Sequence, residues 1–212
     1  MAQVHTLSAD ITQAVGAVEK TTRDMSAAAE NVQEVVGSFT TGDGVVEQWV
    51  AKLGVFRARA QQELQAIAAQ GLDVFDQRYQ PVAGSNPAQH TTRFIGLADR
   101  LFPQVQEHAL TISPKVVYCI AVDRNGYVAT HNQKYCQPQR AGDVVWNTAN
   151  SRWRRIFNDR TGLASARNER PFLLQTYRRD MGGGNFVIMK EAAAPIVVNG
   201  RHWGGLRLAF QF

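Results

Sequence analysis

Two hairpin signatures in the second half of the chain limit what it can fold into. The first is Val116–Asn132, VVYCIAVDRNGYVATHN: an apolar run, a turn through Asp123-Arg124-Asn125-Gly126, and a second run closing on His131 and Asn132. The second is APIVVNGRHWGGLRLAFQF, an apolar run led by Pro195, an Asn199-Gly200 turn, and a strand built on Trp203-Gly204-Gly205. Asn-Gly between apolar runs is a strong hairpin signal, because both central residues of a type I′ turn need φ > 0.

These hairpins predict strands near 116–122, 127–132, 172–179, 186–198 and 201–211, with Met181–Gly184 as a loose turn between the third and fourth. Pro195 cannot donate to a ladder and calls for an edge or a bulge. With Asn125-Gly126 as the turn, an antiparallel register pairs Ile120 with His131 and Val122 with Ala129. Tyr118, Ile120, Val122, Ala129 and His131 then share one face, and Val117, Cys119, Ala121, Val128 and Thr130 the other. Both faces are apolar, so both need covering.

The first half reads as helix. Steps of three and four from Val4 pass through Leu7, Ile11, Ala14, Val18, Thr21, Met25, Ala28, Val32, Val35 and Phe39. That heptad pattern predicts one helix over 1–39 of coiled-coil or bundle type. Gly42-Asp43-Gly44 is a hinge. A core-facing helix follows over about 45–75, then a Pro/Gly loop over 79–92 and a helix over about 93–110. Short helices are expected at 143–168. The expected domains are 1–41, a helical segment; 45–112, helices packing on the sheet domain; and 113–212, the sheet domain itself. The fold class is α+β.

With 23 basic and 18 acidic residues the net charge is +5, mild for 212 residues, and no recognised nucleic-acid motif accompanies it. No apolar run approaches the roughly 20 residues that span a bilayer. No secretory signal stands at the N-terminus, so the expected compartment is the cytoplasm. Cys119 and Cys136 form no C-x-x-C motif and are expected as free thiols. No G-x-S-x-G, H-E-x-x-H or G-x-G-x-x-G is present, so no enzyme class is indicated.

Several side chains could carry binding chemistry. His131, at a strand end, reads as a ligand contact, an axial haem ligand, or a histidine satisfied by backbone. His202 reads as a histidine at the core margin. Arg152-Trp153-Arg154-Arg155 is the densest positive segment. Helical spacing there puts Arg152 and Arg155 on one face, and one arginine could fork onto a carboxylate or phosphate. Trp146, Trp153, Phe172, Tyr177 and Trp203 are either pocket walls or core.

The segments FDQRYQPVAGSNPAQHTTRF, AVDRNGYVATHN, IFNDRTGLASARN, PFLLQTYRRDMGGG and APIVVNGRHWGGLRL together resemble the Cache/PAS-like sensory domain at the C-terminal end of certain bacterial methyl-accepting chemotaxis receptors. ITQAVGAVEKTTRDMSAAAENVQEVV resembles the last helix of a receptor signalling bundle. The resemblance implies long N-terminal helices followed by a PAS/Cache-like antiparallel sheet of about five strands with short helices on one face. It implies a ligand-sensing, non-enzymatic domain that binds a small molecule between the sheet and residues 143–168. His131, Arg154, Trp146 and Tyr177 would line that site. It also implies a homodimer through the N-terminal helix, with chemotaxis signalling proteins as partners; that no nucleic acid and no membrane span are expected comes from the sequence itself, and the lack of a span departs from the receptor pattern. No cofactor is expected on this reading. Its alternatives on the same fold are a haem-binding redox or gas sensor with His131 as axial ligand, and an interaction module with no ligand.

Overall fold

The computed structural model describes residues 11–21 and 44–211, with side chains from residue 48 in the second stretch. The chain divides into two compact units, Met1–Phe39 and Thr40–Phe212.

In the first unit, residues 11–21 are helical (α1) and exposed throughout. Ile11, Val15 and Val18 are 56%, 53% and 65% exposed, so no apolar seam is buried among the described residues. The expectation of long N-terminal helices of coiled-coil type is therefore corrected. Within 11–21 the seam is Ile11, Ala14, Val18 and Thr21, and with Ala and Thr at every second position it buries too little apolar area per turn to fix a partner helix. The remaining seam positions and the Gly42-Asp43-Gly44 hinge lie outside the described residues, Gly44 excepted.

The second unit begins with α2, Gly44–Ala69. It stops six residues before the expected end because Gln70-Gly71 turns the chain, with Gly71 at φ 79°. A small ladder, β1 (Gln80–Pro81) with β2 (His90–Thr91), ties the Pro/Gly loop. Helix α3, Ile95–Leu110, leads into β3, Val116–Asp123. Then come β4 (Tyr127–Val128), a 3-10 turn at Gln133–Tyr135, α4 (Val144–Asn150), β5 (Arg155–Ile156) and α5 (Arg160–Ala166). Strands β6 (Leu173–Asp180), β7 (Phe186–Val198) and β8 (Arg201–Phe210) complete the unit.

The main sheet is antiparallel with order β3-β8-β7-β6. It has four strands rather than about five. The expected pairing of Ile120 with His131 does not form, because β4 pairs with β5, Tyr127 opposite Ile156 and Val128 opposite Arg155. The outer edge of β3 is satisfied by a side chain instead: the Cys119 N–H donates to Asn132 Oδ1 at 2.8 Å. The Asn199-Gly200 turn is as the sequence implies, with φ 51° and 75°. Pro195 lies beyond the last β6–β7 pair, Leu173–Ala193, where β7 has only β8 beside it. The adjacent irregularity at Ile196/Val197 leaves the Val197 N–H to Gln61 of α2, at 3.1 Å.

Helices cover both faces, as two apolar faces require. On the first face, Leu53, Leu64 and Ile67 of α2 and Phe102 and Val105 of α3 pack against Cys119, Ala121, Ala192, Ile196, Leu206 and Leu208. Each large side chain fully buried there contributes about 1.5–3 kcal/mol. Trp203 fixes the chain after α2 by donating from Nε1 to the Val74 carbonyl at 2.8 Å. The second face is covered by the insertion between β3 and β6. Helix α5 sits directly on β8 because residue 205 is glycine: a Cβ there would lie 2.7 Å from the Ser165 carbonyl oxygen. The β6–β7 turn likewise reaches α4 through Gly182, at φ 87°, where a Cβ would lie 2.6 Å from the Val145 carbonyl oxygen.

Candidate functional site

The register defines which side chains meet on the second face. Tyr118 lies opposite Ala209, Ile120 opposite Arg207, Ala209 opposite Glu191, and Ala193 opposite Arg207. Strand β6 adds Gln175 opposite Glu191, Tyr177 opposite Met189 and Arg179 opposite Val187. Alternate residues along a strand share a face, so these six polar side chains stand among Ile120, Val122, Met189 and Ala209.

One part of this polar group is complete in itself. Arg207 donates from Nε and Nη2 to Glu191 Oε2 at 2.9 and 2.7 Å, with side chains 5% and 0% exposed. Ser165 of α5 and Gln175 both donate to Glu191 Oε1, and Tyr118 donates to Oε2 at 2.7 Å. Tyr118 has then spent its proton, so at the 2.5 Å Tyr118–Tyr177 contact Tyr177 is the donor. Burial alone would raise the Glu191 carboxyl. The Arg207 charge and these hydrogen bonds outweigh it and hold Glu191 below its ordinary range.

The other part is not complete. Arg179 is 2% exposed. Its Cζ lies 4.3 Å from the Tyr135 ring centroid and 5.2 Å from that of Tyr118. Nη1 reaches the Tyr135 hydroxyl at 3.4 Å, whereas Nε and Nη2 are buried with no partner among the described residues. Leaving a buried charged donor unpaired is costly, and Glu191, the fully buried carboxylate of this face, already serves Arg207.

Arg152 and His131 join it. Arg152, 8% exposed, donates from Nη1 to the Thr148 carbonyl at 2.7 Å and the Asp180 carbonyl at 3.0 Å. Burial, then the neighbouring charges of Arg179 and Arg155, pull its pKa down to about 9. His131, 2% exposed, sits edge-on to Tyr118 and Tyr135, with ring centroids 5.3 and 4.8 Å away. Its Nδ1 accepts from the Asn132 N–H at 2.8 Å, which assigns the proton of the neutral ring to Nε2. Burial and the charges of Arg179, Arg152, Arg207 and Lys134 hold it well below the usual histidine range. Arg155 reaches the Thr148 carbonyl at 3.5 Å, with burial lowering its pKa to about 10. The acid beside this group is Asp180, exposed and accepting from the Gly182 N–H. The arrangement is a buried patch of excess positive charge with an unpartnered two-pronged donor edge.

Of the residues expected to line a site, His131 and Tyr177 are here and the other two are not. Arg154 adopts φ 59°, pairs with Asp99 at 2.9 Å and stacks 4.1 Å over Trp153. Trp146, half-buried on α4, carries Arg140 at 3.8 Å. The helical spacing expected for 152–155 does not exist, since α4 ends at Asn150 and β5 begins at Arg155. His202 bonds the Asn168 carbonyl at 3.0 Å, away from His131's partners. Sequence reasoning missed Arg179, and it named Arg152 only as one of the Arg152–Arg155 cluster, choosing Arg154 for the site. Arg179 had a signal, since it lies two residues beyond Tyr177 on the same strand face.

Comparison of the chain with protein-family models, curated proteins and solved structures found no match. Among the described residues no helix is long and apolar enough to cross a membrane. Nor do three or more His, Cys, Asp or Glu side chains gather there as a metal site. Cys119 is buried, Cys136 half-buried, and both are free thiols.

Proposed function

We propose that this chain is a ligand-binding sensory domain of the signal-transduction kind, taking a small anionic molecule on the second sheet face beneath the β3–β6 insertion. One observation carries the reading: Arg179 is buried with two guanidinium nitrogens, Nε and Nη2, unpartnered. Such a group is completed by ordered water, an ion or a ligand, and a cationic fork among further arginines suits an anion. Binding rather than catalysis is favoured because the hydroxyl beside a carboxylate, Ser165, donates to a Glu191 already neutralised by Arg207, so no base is poised.

The site spans parts that can move relative to one another. Arg179 belongs to β6, Arg152 follows α4, and Arg152 holds the Asp180 carbonyl at the end of β6. An anion between them would tighten α4 against the β6–β7 turn. The sheet carries α2 and α3 on its other face, so a shift there is the route to output. The size of that shift is limited by the anion's differential affinity for the two arrangements. Chemotaxis signalling proteins as partners and a homodimer are parts of this proposal that rest on the sequence resemblance, and a cytoplasmic setting is proposed on the sequence reading alone.

The haem alternative fits these residues poorly. A porphyrin must lie against His131 Nε2, yet the ring is flanked by two tyrosines and its residue is 2% exposed. The test is thermal-shift screening of the purified full chain against small anions, with mass spectrometry of anything it releases on denaturation. An anion that raises Tm in the wild type and not in Arg179→Met supports the reading. No response to any anion, or a Soret band in the purified protein, contradicts it.

A further inference from the structure

We propose a second binding site, between α3 and the segment Val128–Asn132, that takes an uncharged polar molecule offering hydrogen-bond donors and acceptors together, as a polyol or a primary amide does. It is separate from the anion site, and neither reading rests on the other.

Buried polar atoms without partners mark the place. Asp99 Oδ1, Arg154 Nε and both amide atoms of Gln106 are withdrawn from water and have no partner among the described residues. Gln106 is 1% exposed. Asp99 and Gln106 stand seven residues apart on α3, so they share one stripe of the helix. About 10 Å of helix axis separates them, and helical side chains lean toward the N-terminus, which brings the Gln106 amide nearer to Asp99. Pro103 lies between them and supplies no N–H to the Asp99 carbonyl, so a main-chain acceptor joins the same stretch of helix.

The segment opposite is tied to α3 at both ends. Arg154 donates from its main-chain N–H to the Val128 carbonyl at 2.6 Å and from Nη2 to Asp99 Oδ2 at 2.9 Å. Asn132 Nδ2 donates to the Gln106 carbonyl at 2.9 Å. Val128–Asn132 therefore runs beside α3 from Asp99 to Gln106, with the small buried residues Ala129 and Thr130 between the two ties. The Asp99 and Arg154 side chains are 28% and 27% exposed, so solvent reaches the site at that end.

The charge balance decides the class of ligand. The charges of Asp99 and Arg154 answer each other through their single contact, and the Arg154 guanidinium also stacks over Trp153. A charged ligand would have to break this pair to find its counter-charge. The unpartnered atoms that remain are a carboxylate acceptor, a guanidinium donor, and an amide that presents one oxygen and one nitrogen. Adjacent hydroxyls, each donor and acceptor at once, meet such a mixed set, as does an amide.

The experiment is nuclear magnetic resonance of the full chain, following the side-chain amide signals of Gln106 and Asn132 while xylitol, ribose or acetamide is added. Glycine, acetate and inorganic phosphate are titrated separately. The Gln106 pair is assigned by its absence in Gln106→Leu, which keeps the volume and loses the polar atoms. Saturable movement of that pair with at least one uncharged probe is expected, and it should persist in Arg179→Lys. The affinity of that probe, read from the Asn132 amide, should fall at least tenfold in Gln106→Leu. No movement with any probe would mean that ordered water alone completes these atoms, and would overturn the proposal. Movement with the charged probes only would overturn it too, as would wild-type affinity in Gln106→Leu or loss of the response in Arg179→Lys. None of these results touches the anion reading, which is tested on Arg179. Should Gln106→Leu fail to fold, Gln106→Met takes its place.

Discussion

Glu191 Oε2 receives two N–H groups from Arg207, at 2.9 and 2.7 Å, from the middle of the sheet's second face. Both side chains are withdrawn from water, so each depends on the other. Arg207→Met should cost about 3–5 kcal/mol of unfolding free energy, because it leaves a buried carboxylate unpaired. The double variant Glu191→Leu/Arg207→Met should recover most of that loss. Urea denaturation of the three proteins measures the coupling. A single variant as stable as the wild type would contradict the burial of this pair.

Arg179 should behave in the opposite way. Its charge is buried and its fork unpaired, so in the absence of anion it opposes folding. Arg179→Met is expected to raise the unfolding free energy of the ligand-free chain by about 1–3 kcal/mol, with anion binding lost. A structural arginine would give the reverse, a less stable variant in anion-free buffer.

Acid should weaken the domain through His131. In the folded chain the ring stays neutral, held so by burial and by Arg179 of β6, Arg152 after α4, Arg207 of β8 and Lys134 of the 3-10 turn. In the unfolded chain it titrates near 6.5. Below that pH the unfolded state binds a proton that the folded state does not, so stability present above about 6.5 is lost as pH falls. His202 is also lowered, by burial, and adds to the same trend. Comparing wild type with His131→Phe isolates the larger share: the variant's stability should fall less between pH 7 and 5. Equal slopes would place His131 in a solvated setting.

The contact between the β6–β7 turn and α4 should matter for binding more than for folding. Gly182→Ala puts a Cβ 2.6 Å from the Val145 carbonyl oxygen, at φ 87°. The turn must lift from α4, with about 1–2 kcal/mol lost in stability. Arg152 bridges the same two elements through the Thr148 and Asp180 carbonyls, so anion affinity should drop at least tenfold. Unchanged affinity would remove α4 from the account.

Much of the sheet was legible because its signals are local. Asn199-Gly200 chooses a turn from two residues, and both adopt φ > 0. Pro195 announces an edge and finds one. The first hairpin misled because one side chain, Asn132, takes the Cys119 N–H that a strand was expected to take. Arg154 misled because, at φ 59° and beyond the end of α4, it turns to Asp99 instead of the site. The site itself was half legible. Tyr177 and His131 stood out as residue types, but the excess of Arg179 depends on which arginine owns Glu191. That ownership follows from the register across β6, β7 and β8, which one sequence does not display.

The most direct test is nuclear magnetic resonance of the arginine side chains, following the Nε–H signal of Arg179 during titration with the tightest-binding anion of the panel. The signal is assigned by its absence in Arg179→Lys. A saturable downfield shift of that one proton, with the Arg207 Nε–H unmoved, is the predicted result. An Arg179 signal that stays in place while the anion binds would put the ligand elsewhere and contradict the account.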